Sequence, residues 1–80
     1  MSVARLLLFG QAREAAGTAK DEVEGATVAE AVSAACSRYG VRFSEVSVIC
    51  RVWVNGEPAP PEHVLHDGDE VAMLPPVSGG

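Results

Sequence analysis

"EVAMLPPVSGG", residues 70–80, is the stretch on which the reading of this chain turns. Glu70 to Leu74 reads as a strand, and Pro75-Pro76 ends it. Proline locks φ, lacks an N–H and disfavours helix before it, so the chain should leave the sheet extended. From Pro75 to Gly80 the reach is at most roughly 20 Å, at ~3.3 Å per residue. Val77 and Ser78 are small. Gly79 and Gly80 have no Cβ, so they can thread a narrow channel and adopt backbone angles closed to other residues.

Outward from this strand, the other elements follow from pattern. Residues 3–9, "VARLLLF", read as a second strongly apolar strand, with Leu6 and Leu8 on one face and Arg5, Leu7 and Phe9 on the other. Residues 11–16 are good helix formers stopped by Gly17, which predicts one short helical segment. "TAKDEVE", residues 18–24, reads as a weak, polar edge strand. Thr27 with Glu30 three residues on makes a capping box. Val28, Ala31, Val32, Ala35 and Tyr39 then recur at helical spacing up to Gly40, which predicts the main helix. Residues 48–54 alternate, with Val48, Cys50, Val52 and Val54 facing one way and Ile49, Arg51 and Trp53 the other. Asn55-Gly56 signals a two-residue hairpin. Its return strand, Glu57 to Ala59, runs into Pro58, Pro60 and Pro61, which places it at an edge.

The first and last strands are the most apolar, so they belong in the middle of the sheet. The predicted order β-β-α-β-β-β gives an α+β fold of the β-grasp, or ubiquitin-like, kind: a mixed sheet of about five strands packed on one main helix. Residues 1–76 form the domain and residues 77–80 a flexible tail. If helix packing covers Leu6, Leu8, Val71 and Met73, then Leu7, Phe9, Ala72, Leu74 and Trp53 lie on the opposite face. Large apolar residues grouped there, beside the exit of the tail, mark a partner-docking face.

Totals restrict the function. Eighty residues make one small domain. A formal net charge of −5 argues against nucleic acid or an anionic membrane as partner, since both are held by clustered Lys and Arg. The apolar run Leu6 to Phe9 is too short for a signal peptide or a membrane span, so the chain reads as cytoplasmic. Cys36 and Cys50 lack metal or redox spacing and read as two buried, reduced thiols. His63 and His66 lie in a loop beside turn-forming Asp67 and Asp69 and do not make a metal site, so no metal is expected. The glycines form no phosphate-binding loop, and no catalytic set of side chains suggests itself.

The ending therefore becomes the candidate active group. A carboxylate at Gly80 is a poor electrophile until it is activated, for instance as an acyl-adenylate. A sulfur nucleophile could then displace AMP and leave a thiocarboxylate, with the rest of the domain as a handle.

"LLLFGQAREAAGT", "VNG" at 54–56 and "DGDEVAMLPPVSGG" together resemble the small subunits of molybdopterin synthase, within a group that also holds the thiamine-pathway sulfur carriers. The resemblance covers nearly the whole chain. The strand ending in Phe9, Arg13-Glu14, Gly17 and the Pro-Pro-Val-x-Gly-Gly ending are its more specific parts. It implies that an ATP-dependent activating enzyme adenylates Gly80, and that a sulfur-transfer system makes it the thiocarboxylate, 1-thioglycine. It also implies no bound cofactor. The tail, Pro75, Pro76, Val77, Ser78 and Gly79, would insert into the large subunit, where Gly80 gives sulfur to cyclic pyranopterin monophosphate. The catalytic side chains would belong to that large subunit, in an elongated heterotetramer. Met73-Leu74 departs from the aromatics that such proteins often carry there, which implies a more aliphatic docking surface. Two other readings stand beside it: a sulfur carrier for thiamine or cysteine synthesis, and a ubiquitin-like modifier or plain interaction module.

Overall fold

The computed structural model describes residues 2–76. Its elements are β1 (Val3–Leu8), α1 (Gly10–Ala16), β2 (Lys20–Glu24), α2 (Val28–Tyr39), α3 (Val41–Ser47), β3 (Arg51–Val54), β4 (Glu57–Pro58) and β5 (Glu70–Leu74). The five strands form one mixed sheet in the order β2-β1-β5-β3-β4. β1 and β5 run parallel, and every other pairing is antiparallel. The two most apolar strands thus lie side by side in the interior, and the polar β2 and the proline-bound β4 form the edges. This is the β-grasp arrangement.

One sheet face is covered by the helices. Leu6, Leu8, Val23, Val71 and Met73 point into this layer and are essentially inaccessible to solvent. They meet Val28, Ala31 and Ala35 from α2 and Phe43 from α3. Alanine on the facing stripe lets α2 approach the sheet closely. At Gly25, in the connection from β2, a Cβ would stand 2.6 Å from the backbone nitrogen of Ala31. Only glycine fits between the end of β2 and the first turn of α2.

The start of α2 is fully tied. The Glu30 N–H donates to Thr27 Oγ1 at 3.3 Å, and the Glu30 carboxylate accepts from the Ala26 N–H at 2.9 Å. Val28 and Ala29 donate to the carbonyls of His63 and Pro61. These bonds satisfy donors that a helix N-terminus otherwise leaves orphaned. The loop holding His63 thus serves as a cap for α2. Asn55 and Gly56 both take positive φ, 51° and 84°, as a primed hairpin turn requires.

The sequence reading is corrected at four places. Residues 41–47 form a helix that was not predicted: Phe43 is buried and Val46 half-buried, an i, i+3 pair that a loop reading overlooked. The third strand therefore starts at Arg51 rather than Val48. Val48 and Ile49 follow α3 outside any strand and are 83% and 51% exposed, so Val48 has no place on the inner face. β1 stops at Leu8, because the Phe9 carbonyl already accepts the first helical hydrogen bonds, from Ala12 and Arg13. Finally, Cys36 and Cys50 are unbridged but only half-buried. No helix among the described residues is long and apolar enough to cross a membrane.

Candidate functional site

The uncovered sheet face is built by strand alternation. Leu7, Ala72 and Trp53 are register partners across β1, β5 and β3, so they form one row over the three interior strands. Leu74 stands one step further along β5, opposite Arg51. Leu7, Trp53, Ala72 and Leu74 are half-buried, and Phe9 is 45% exposed at the N-cap of α1. The four strand residues thus lie where period-2 alternation puts them, on the face away from the helices, whereas Phe9 sits past the end of β1 at the start of α1. The register adds two that the sequence did not single out. Lys20 pairs with Leu7, and Pro58 pairs with Trp53. An open cleft lined by Arg51, Trp53, Pro58 and Pro60 runs along the β3–β4 side.

The exit of the chain is at one end of this face. Pro75 follows Leu74 and is half-buried, whereas Pro76 is exposed. Pro75 Cγ lies 3.6 Å from where a Cβ on Gly10 would be, and Gly10 has a φ of +52°. The turn that starts α1 therefore forms a seat for the base of the Pro-Pro stalk. A glycine bounding the apolar run Leu6 to Phe9 was the available signal for it. The predicted insertion residues Val77, Ser78, Gly79 and Gly80 lie outside the described residues.

The opposite end is held by hydrogen bonds rather than by chemistry-bearing groups. The Asn55 side chain accepts from the Glu70 N–H at 2.9 Å and donates to Asp69 Oδ1 at 3.0 Å. Asp69 also accepts from the His66 N–H, and Asp67 from the Val3 N–H, both at 2.8 Å. The backbone N–H of His66 and the Asn55 amide hold the Asp69 carboxyl below the usual carboxylate range. "VNG" and "DGDE" therefore couple the hairpin turn to the start of β5. His63 and His66 are exposed, and no group of three or more metal-ligating side chains occurs among the described residues. Burial pushes the Cys50 thiol up, away from the reactive thiolate. The Cys36 thiol lies 3.4 Å from Ser47 Oγ.

Fold and site define a small ubiquitin-like domain that offers an apolar sheet face beside an outgoing Pro-Pro stalk. The ThiS family matches residues 6–80, and the chain belongs to that family. It is 32% identical to the molybdopterin synthase sulfur carrier subunit of Escherichia coli, over 95% of this chain and 98% of that one. SAMP1 from Haloferax volcanii superimposes with a TM-score of 0.88 and 31% identity, covering 99% of this chain and all of the other. The putative molybdopterin converting factor subunit 1 of Pyrococcus furiosus does so with a TM-score of 0.83 and 26% identity, over 96% of this chain and all of its own. By this membership the chain is a sulfur carrier of the ThiS type.

Proposed function

We propose that this carrier is the sulfur-donating small subunit of a molybdopterin synthase. The observation that carries the reading is the likeness to the Escherichia coli subunit over nearly the full length of both chains. The apolar row beside the stalk supports it, because a carrier needs a docking face that leaves its tail free.

In this reading Gly80 is the terminal residue. An activating enzyme joins its carboxylate to ATP, giving the acyl-adenylate and pyrophosphate. Sulfide released by a sulfur donor then attacks the carbonyl carbon, AMP leaves, and Gly80 holds a thiocarboxylate. Pro75 and Pro76 aim the segment Val77 to Gly80 into a channel of the large subunit. Leu7, Phe9, Trp53, Ala72 and Leu74 dock against that subunit. There the thiocarboxylate sulfur attacks cyclic pyranopterin monophosphate, and hydrolysis of the resulting thioester returns Gly80 as a carboxylate. The side chains that activate the pterin belong to the large subunit, and two copies of each subunit form the assembly.

The test is reconstitution. The thiocarboxylated protein, mixed with the large subunit and the pterin precursor, is expected to form molybdopterin. Its intact mass should first rise by the exchange of one oxygen for one sulfur, and deletion of Gly80 should abolish both results. A thiocarboxylate that forms yet yields no molybdopterin would retain the carrier and overturn the molybdopterin assignment. A second reading, as a modifier, has behind it the likeness to SAMP1, also described as a small archaeal modifier protein, and is not the favoured one. Isopeptide conjugates through Gly80, rather than the mass gain, would establish it.

A further inference from the structure

Charge is distributed unevenly along the axis of the sheet. The elements that meet at the stalk end comprise residues 9–21, 36–51 and 74–76. They hold five of the six Lys and Arg but three of the eleven Asp and Glu, a formal charge of +2. The remaining residues carry −7. The net charge of −5 therefore conceals a strong dipole whose positive pole surrounds the root of the tail.

The cations at this pole are available. Arg38 is engaged with Asp21 at 2.8 Å. Arg13, Lys20, Arg42 and Arg51 are exposed and make no salt bridge among the described residues. They stand on four different elements, α1, β2, α3 and β3, arranged around the end of β5. Two of them bracket the docking face: Lys20 beside Leu7, and Arg51 beside Leu74.

From this placement we infer that the carrier approaches its partner tail first. The docking partner is a protein surface with an apolar centre and carboxylates on either side of the mouth that receives the tail. The inference deepens the docking reading above and rests on it. The cations are spread over four elements rather than converging in a pocket, which suits a protein surface better than a compact phosphate. The −7 of the other pole repels the extended polyanion of a nucleic acid. A dipole along the sheet axis orients diffusional encounter, so its effect falls mainly on the association rate and is screened by salt.

The experiment is stopped-flow association of the unmodified carrier with the large synthase subunit, from low to high NaCl. Wild-type association is expected to slow as salt rises. At low salt, Lys20→Glu with Arg51→Glu should slow it by at least ~10-fold, with the Gln pair intermediate and the salt dependence flattened. Unchanged melting temperatures separate this from misfolding. Equal rates for wild type and the Glu pair, or wild-type association that quickens with salt, would overturn the inference. Sulfur transfer is not needed for this readout, so its outcome is separate from that of the carrier reading. Trp53 fluorescence titrated with a single-stranded RNA 20-mer should not change, and saturable binding would favour nucleic acid over an acidic protein surface.

Discussion

Gly25 shows how one position can fix the spacing between layers. It is buried, and a Cβ there would meet the backbone of Ala31 rather than a side chain that could swing aside. Gly25→Ala should therefore push α2 off the sheet and cost about 2–3 kcal/mol, within the usual range of overpacking. For a domain of this size that is a fall in melting temperature of roughly 10–20 °C, measurable by circular dichroism. An unchanged melting temperature would show that the β2–α2 connection yields. Gly25 carried no signal in the sequence beyond being a turn residue. Its constraint comes from Ala31, six positions on, which reaches it only once α2 has folded.

At the element scale, the edge strand β2 is fastened to α2 by a polar cluster. Asp21 accepts from the hydroxyl of Tyr39 and from the guanidinium of Arg38, which also donates to the Glu22 carbonyl at 2.7 Å. The Tyr39 bond first, then the Arg38 bond, lowers the Asp21 carboxyl to about 2. Because the folded value lies below the unfolded one, its contribution is complete above the unfolded carboxylate range and is lost as pH falls toward 2. The side chain is 32% exposed, so solvent screening limits the effect. Asp21→Asn should cost about 0.5–1 kcal/mol at neutral pH, with the difference shrinking below about pH 4 and gone below about pH 2. Urea melts of both proteins across that range check it, and a constant difference would refute the linkage. Tyr39 was legible only as a helix-stripe residue. It lies half-buried with its ring tilted on Phe43 at 5.1 Å, and its hydroxyl serves the sheet.

At the scale of the whole molecule, one sheet face packs against the helices and the other is the face proposed to dock. Phe9→Asp and Leu74→Asp both place a charge on the outer face, where neither side chain is fully enclosed. Each variant should stay folded as a monomer and lose at least about tenfold in affinity for the large subunit, the scale of a modest interface contact. Calorimetric titration beside a thermal melt separates the two effects. Normal binding by both variants would place the docking face elsewhere.

The sequence by itself determined the alternation of β1 and β5, the capping box at Thr27, the Asn55-Gly56 turn and the Pro75-Pro76 stop. Each is a local signal, set by residues within a turn or two of one another. From these followed the β-grasp order and the composition of the outer face. Tertiary structure alone decided the rest. In residues 41–50 the apolar positions Val41, Phe43, Val46, Val48, Ile49 and Cys50 fit both a short helix and a strand, so periodicity does not separate the two, and Phe43 is recognised as core only against Tyr39 and α2. The seat of Pro75 on Gly10, the clamp of Asn55 on Asp69 and Glu70, and the basic pole around the stalk each join residues that are distant in the chain. Parallel pairing of β1 with β5 sets Gly10 and Pro75, which follow the two strands, at the same edge of the domain, and antiparallel pairing of β3 with β5 brings Asn55 to the start of β5 at the other.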